Sequence, residues 1–378
     1  MVREVYITKL GKFLPNKLVS NDEMEDFLGM VSGNPSKAKG IILRSNGIKG
    51  RYYALNRDGS ITHSNVDLCV EAVKDLFNQG FDASQLEYLA CGTTSPDQLL
   101  PSHAVMVHGK LGLKNLEAAS FTGSCCSSIH GLKSGIMSVA SGNSSNAVCV
   151  GSERISPWMR AGNFEKESEN LQKLEQNPYI AFDKEFLRWM LSDGAAAVLL
   201  QDSPGDNLSL RVDWLEITSF ANELETCMYA GALKEESGDL MGYYEFTPAQ
   251  WLETSVFSLK QDVKLLRDHI VGYGMKFLRE IIEKRNFSVD TIDYFLPHLS
   301  SFFFRDKIAE ELESNGMPIP KEKWFTNLEN VGNVGSASAF LMLEELVHSG
   351  KLKKGERILV MIPESARFSY AYLLLTVC

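Results

Sequence analysis

Apolar and polar positions alternate along this chain with two periods. In HSNVDLCVEAVKDLFNQG, Val66, Cys69, Val70, Val73 and Phe77 recur at helical spacing, which predicts a helix over 63–80. LEYLACGTT (86–94) predicts a buried strand ending in a loop, AVMVHGKLGL (104–113) a short helix, and AASFTGS (118–124) another strand. From Cys126 onward, Ile129, Leu132, Ile136, Val139 and Ala140 trace one helical stripe that ends near Gly142. NAVCVGSE (146–153), AAAVLLQD (195–202) and LSLRVDWLEIT (208–218) predict strands, and residues 256–285 a long amphipathic helix. IDYFLPHLS (292–300) predicts a buried strand running into a loop, SASAFLMLEELVHSG (336–350) a helix closed by Gly350, and RILVMIPES and SYAYLLLTVC the closing strands. VREVYITKLGKFLP predicts the opening strand and turn. Apolar strands interleaved with helices imply an α/β fold whose sheets are covered by helices. Residues 153–192, with SENLQKLEQN, break the alternation and are read as a polar insertion, a lid or a dimer-facing excursion.

Composition narrows the function. The chain has 378 residues, 44% hydrophobic and 23% charged, as in an ordinary globular protein. A net charge of −10 argues against a nucleic-acid partner. No signal-peptide core and no run approaching ~18 apolar residues is present, so no membrane partner is expected and the expected compartment is cytoplasmic. The seven cysteines are then expected to be reduced, and no CxxC pair suggests a metal site.

Three segments carry candidate chemistry. Cys125 and Cys126 stand at the first turn of a helix, where free backbone N–H groups and the helix dipole favour a thiolate and can hold an oxyanion. Small buried helix-start residues fit the same pattern, and local context does not separate the two neighbours. His298, in YFLPHLSS, follows a buried strand at the end where α/β proteins bind ligands; a core or capping histidine fits as well. His130 is read as a helix-surface residue. Asn333, in NLENVGNVGSASAF, lies in a Gly/Asn-rich loop that opens a helix; its amide suits polarising a carbonyl, and turn formation is the competing reading. The order Cys, His, Asn also occurs in papain-like proteases, but the spacing here is too long and the aromatic after the nucleophile is missing.

These motifs together resemble the ketoacyl synthase III group of thiolase-fold condensing enzymes over essentially the whole chain. GKFLPNKLVSNDEMEDFL, LRSNGIKGR, CGTTSPDQLLPSHA, LSDGAAAVLL, LPHLSS, VGNVGSAS and KLKKGERILVM follow the family's order. The resemblance implies a five-layered α-β-α-β-α fold from two similar halves, 1–205 carrying the cysteine and 206–378 carrying His298 and Asn333, and a homodimer. Counting back from Gly151, with Gly142 and Leu132 in register, it places the nucleophile at Cys125. It implies that Cys125 accepts an acyl group from a thioester, on an acyl carrier protein or CoA, and that a second thioester attacks it. His298 and Asn333 would hydrogen-bond the second thioester's oxygen, while backbone N–H groups of Cys125 and of the loop after Ile362 hold the oxyanion. No metal and no redox cofactor is implied. A thiolase proper would need a second late catalytic cysteine, and the only late one is Cys378.

The chain departs from the family in three places. PESARFSYAY replaces the usual Gly-Gly-Gly-Phe turn, so Glu364, Ser365, Ala366 and Arg367 are candidates for a substrate-binding or altered oxyanion loop. Gly40 stands where housekeeping members carry a tryptophan that stacks on adenine, four residues before Arg44, which favours a carrier-protein donor. Leu299 replaces the usual glutamine after the histidine. The PESAR stretch is reminiscent of ketosynthases that join two 3-ketoacyl thioesters into dialkylresorcinol or cyclohexanedione precursors. A non-catalytic acyl-binding partner subunit and a cysteine-dependent acyl hydrolase or acyltransferase are the alternative classes. Arg44 and Arg305 are candidate docking residues for carrier protein or CoA, and Lys351, Lys353 and Lys354 further candidates for a basic doorway.

Overall fold

The computed structural model describes residues 3–164 and 186–378. The strands β1 (Tyr6–Phe13), β2 (Tyr88–Thr93), β3 (Glu117–Thr122), β4 (Asn146–Glu153), β5 (Gly194–Gln201), β6 (Leu210–Ser219), β7 (Tyr294–Pro297), β8 (Arg357–Glu364) and β9 (Ser369–Val377) hydrogen-bond in the order β7-β8-β9-β6-β1-β5-β4-β2-β3. Only Tyr6↔Arg211 and Ile7↔Leu210 join β1 to β6, so two sheets meet at that seam. Each repeats one pattern. β1, β5, β4 and β2 pair antiparallel, antiparallel and parallel, and β6, β9, β8 and β7 do the same. β3 extends the first sheet in parallel and leaves its other edge unpaired among the described residues.

The helices fill matching layers. α2 (Asn65–Asn78) and α3 (His103–Leu111) cover the outer face of the first sheet, and α5 (Val263–Arg285) with α6 (Phe303–Ser314) the outer face of the second. α4 (Ser127–Ser141) and α7 (Ser338–His348) lie between the sheets, while α1 (Lys39–Asn46) packs near the start of α6. This is the five-layered thiolase-like architecture. Its three cores surround the three helix layers, with Val73 and Leu76 in the first, Ile129, Leu132 and Phe340 in the middle, and Leu278 and Ile281 in the third. α2 starts where the sequence pattern puts it, because Ser64 and Asp67 form a reciprocal capping box.

The long helix read over 256–285 begins only at Val263. The Asp262 side chain caps it by accepting from Leu265 N–H. Just before it, the buried Lys260 ammonium donates to the carbonyls of Ser255, Val256 and Ser258. Carbonyls turned to an ammonium are lost to a helical ladder, so the amphipathic pattern of 256–262 does not become helix. Lys260–Gln261 pairs instead with Met228–Tyr229, and a hairpin of Ala232–Lys234 and Leu240–Gly242 lies in the intervening excursion. The insertion read over 153–192 falls, for 165–185, outside the described residues.

Candidate active site

β2, β4, β7 and β8 all end at one side of the molecule, and their ends border a cavity between the two sheets and α5/α6. Cys125, His298 and Asn333 all line it. Each arrives from a different element, so their meeting is a tertiary event.

Cys125 sits in the turn between β3 and α4. Gly123 takes φ +140° there, a backbone conformation that a side chain would resist, and Ser127 N–H bonds back to Ser124 O. Of the adjacent thiols, Cys125 faces the cavity. Cys126 is fully buried in the middle core, its Sγ donating to Ile362 O at 3.5 Å. Enclosure, and after it the charge of Glu364, push the Cys125 thiol up to about 12. The expected dipole-stabilised thiolate is therefore not the resting state, because the thiol is enclosed and, second to that, a carboxylate occupies the helix end.

His298 follows the last residue of β7, and its N–H continues the parallel ladder by donating to Met361 O at 2.8 Å. Burial pushes its imidazole down to about 4, so it is neutral, with one ring N–H to donate. Asn333 is held by its backbone to Met190 and Ser192, and its Oδ1 accepts from Gly335 N–H at 2.9 Å. That contact orients the amide and leaves its Nδ2 without a protein acceptor among the described residues. The His298 ring nitrogens likewise have no protein partner among them. Two neutral donors facing an apolar cavity can stabilise an enolate or thioester oxygen.

The turn after β8 differs from the expected oxyanion loop. Pro363 has no N–H to offer, and Glu364 instead places Oε2 on the backbone N–H groups of Ser124, at 3.1 Å, and Cys126, at 2.9 Å. Ser365 lines the cavity and its Oγ accepts from Gln261 Nε2 at 2.9 Å. Ala366 turns its carbonyl to Cys227 and Met228, and Arg367 is exposed, donating to Leu224 O. Of this quartet only Ser365 forms cavity wall.

Sequence reading passed over Glu153. It ends the otherwise apolar β4, lines the cavity, and accepts from Thr94 Oγ1 at 2.7 Å, Ser95 Oγ at 2.8 Å and Ser336 N–H at 3.2 Å. It ties β2, β4 and the Asn333 loop together; a fully buried acid closing the strand NAVCVGSE was the available signal. Beyond the polar end, Leu259, Leu266, Ile270, Phe304 and Ile308 make the cavity apolar. Ile155, Leu187 and Leu191, on either flank of 165–185, complete its wall.

Arg44 is exposed on α1, and Arg305 lies next to Phe304 on α6, its guanidinium 6.0 Å from the Phe302 ring. The elements carrying them touch, Phe302 N–H donating to Asn46 O at 3.0 Å. Neither arginine has an acidic partner among the described residues. Lys351, Lys353 and Lys354 precede β8, whose far end carries Glu364. Eight extended residues separate them from the site by roughly 25 Å, which removes them from the doorway. No cluster of metal-ligating side chains occurs among the described residues, and no helix there is long and apolar enough to cross a membrane.

The architecture and the site's setting define a thiolase-like fold. The family described as 3-oxoacyl-[acyl-carrier-protein (ACP)] synthase III C terminal matches residues 282–363, which span His298 and Asn333. Beta-ketoacyl-[acyl-carrier-protein] synthase III of Clostridium perfringens (strain SM101 / Type A) is 27% identical over 361 residues, covering 94% of each chain. That of Chlorobaculum tepidum is 24% identical over 359 residues, again 94% of each. Among solved structures, AbyA1, a tetronic acid condensing enzyme, superposes with a TM-score of 0.76 at 20% identity over 98% of this chain and 99% of that one. A single-residue variant of Xanthomonas campestris OleA gives 0.74 at 19% over 99% of each. Along nearly its whole length the chain is similar to ketoacyl-ACP synthase III condensing enzymes, and its enzyme class is a synthase III-like acyltransferase.

Proposed function

We infer that this enzyme forms a carbon–carbon bond between an acyl group carried on Cys125 and a second thioester bound beside His298 and Asn333. The convergence of one thiol and two unpartnered neutral donors on a single apolar cavity carries the reading. The Cys125 sulfur displaces the donor's thiol and holds the acyl group as a thioester. His298 and the Asn333 amide donate to the carbonyl oxygen of the incoming thioester and stabilise the enolate formed when its α-carbon loses a proton or CO2. The enolate attacks the acyl carbonyl, the C–S bond to Cys125 breaks, and the departing thiolate takes up the α-proton or, after decarboxylation, a proton from solvent.

The substrates fit acyl thioesters on a carrier protein, which the relatives' names print, or on CoA. The PESAR turn and the apolar wall favour a medium or long acyl chain with a 3-ketoacyl partner, the chemistry that leads to dialkylresorcinol- or cyclohexanedione-type products. Residues 1–205 supply the nucleophile, and 206–378 supply the donors. The open edge of β3, with Leu99, Leu100, Val105 and Met106 exposed, supports a homodimer; light scattering that returns a monomer would remove that part.

The test is incubation with paired thioesters followed by product analysis. A new carbon–carbon bond from two 3-ketoacyl thioesters supports the full reading. Turnover of acetyl and malonyl groups alone would overturn the substrate assignment. Free acid or ester as the sole product would select an acyl hydrolase or acyltransferase, and no adduct from any donor an acyl-binding subunit.

A further inference from the structure

The last residue of β8 sets a carboxylate against the turn that holds the nucleophile. The two N–H groups bound by Glu364 Oε2 belong to Ser124 and Cys126, the residues on either side of Cys125. Both are charge-assisted bonds at the positive end of α4. Glu364 is 8% exposed and has no ion pair among the described residues; its second oxygen, Oε1, takes no protein donor among them.

A helix start of this kind ordinarily favours a thiolate. Here the favourable position is already filled by a negative charge, and a thiolate at Cys125 would be a second one beside it. The nucleophile therefore rests as a thiol, and attack on a thioester requires a proton acceptor. His298 is a poor one, since burial holds its imidazole far below neutrality. Glu153 commits its oxygens to Thr94, Ser95 and Ser336. Glu364 keeps a free oxygen, and burial moves its carboxyl upward, toward the range of a useful base. Among the described residues, other titratable or charged groups beside this turn are Cys126 just before α4, Cys227, whose N–H donates to Ala366 O, Tyr370 on β9, and Arg367 in the turn itself, the last turned to Leu224 O.

We propose that Glu364 is the general base for Cys125, taking the thiol proton as the sulfur attacks the donor thioester and passing it to the departing thiolate. The proposal rests on Cys125 being the acylated residue. The S–H bond breaks as the O–H bond forms, and the new C–S bond replaces the donor's C–S bond. The proton leaves on the released thiol, and Glu364 ends as the carboxylate it began as. Protonation also discharges Glu364 and loosens its hold on the Ser124 and Cys126 N–H groups. Those donors are freed as the thioester oxygen becomes negative.

Glu364→Gln tests this, because an amide oxygen can accept the same two N–H groups without basicity. Two rates at Cys125 are followed from pH 6 to 9: alkylation by iodoacetamide and acylation by a medium-chain acyl thioester, read by intact-protein mass. Alkylation is expected to speed up, since the repelling charge is gone. Acylation at pH 7 is expected to slow on the order of 100-fold, the contribution of a positioned base. Both rates rising together would overturn the proposal and leave Glu364 as a repelling charge only; both unchanged would overturn it as well. Should the variant not fold, the unmodified enzyme decides: its acylation rate should show an acid limb set by a carboxyl group, and a rate climbing tenfold per pH unit to pH 9 would overturn it. A wild-type adduct with an unaltered variant removes the base alone, whereas no wild-type adduct removes the nucleophile assignment with it.

Discussion

Leu191 and Asn333 form a parallel bridge between segments 142 positions apart: Asn333 N–H donates to Met190 O at 3.0 Å, and Ser192 N–H donates to Asn333 O at 2.9 Å. The bridge fixes Asn333 to the sequence half that carries Cys125. Gly332 makes it possible: its φ is +75°, and a Cβ there would lie 2.9 Å from Ser192 Cβ and 3.1 Å from Arg51 Cβ. Gly332→Ala should cost roughly 2–3 kcal/mol from the left-handed backbone plus crowding, read as a lower urea midpoint. It should slow condensation more than acylation, because it moves Asn333 and leaves Cys125 in place.

The two adjacent thiols should separate cleanly. Cys125→Ala is expected to abolish the acyl adduct in intact-protein mass spectra. Cys126→Ala should keep the adduct and lose about 1 kcal/mol of stability, the usual scale for emptying a small buried side chain. An adduct lost only in Cys126→Ala would move the nucleophile by one residue.

Asn333→Asp keeps the acceptor for Gly335 N–H and removes the amide donor. It should lower the condensation rate by about 10²–10³, the scale of one oxyanion donor, while single-turnover acylation of Cys125 persists. His298→Ala should behave alike. Equal loss of acylation in both would show that these residues serve the first half-reaction instead.

His298 also makes stability depend on pH. Its folded value of about 4 lies below the ordinary histidine value of 6.5, so between them the unfolded chain binds a proton that the folded chain refuses. The stabilising contribution is whole above pH 6.5 and is lost as pH falls toward 4, amounting to roughly 3 kcal/mol. Urea unfolding at pH 7 and pH 4.5 should show a smaller acid-side loss for His298→Gln than for the unmodified protein.

Arg305 lies beside the cavity wall without an acidic partner among the described residues, on a chain of net charge −10. Charge reversal, Arg305→Glu, should raise KM for carrier-protein thioesters about tenfold and spare small soluble thioesters, since docking charges act on encounter. Equal loss on both substrates would place Arg305 in the fold rather than in docking.

The sequence by itself determined the elements whose signals are local. The stripe of α2 and its Ser64 cap, the apolar runs of β2 and β4, and the glycine that ends α4 follow from side-chain period and backbone preference alone. Cys125, His298 and Asn333 could be singled out as candidates from neighbouring turns and family order, because a loop at a strand or helix end carries a local signature. Tertiary structure decided the rest. Which of two neighbouring thiols meets the cavity depends on a rotation of about 100° per helical residue relative to a sheet far away in sequence. The start of α5 depended on where Lys260 found its carbonyls, and the distance of Lys351–Lys354 from the site on the direction of β8. Glu364 was legible in the sequence only as one member of a candidate substrate-binding or oxyanion loop; 238 positions separate it from Cys126, and only the packing of β8 against α4 sets its carboxylate on the backbone beside Cys125. Period and propensity act over a few residues, whereas electrostatic contact acts through space, and the pairing of a strand end with a helix start is fixed only by the folded sheets.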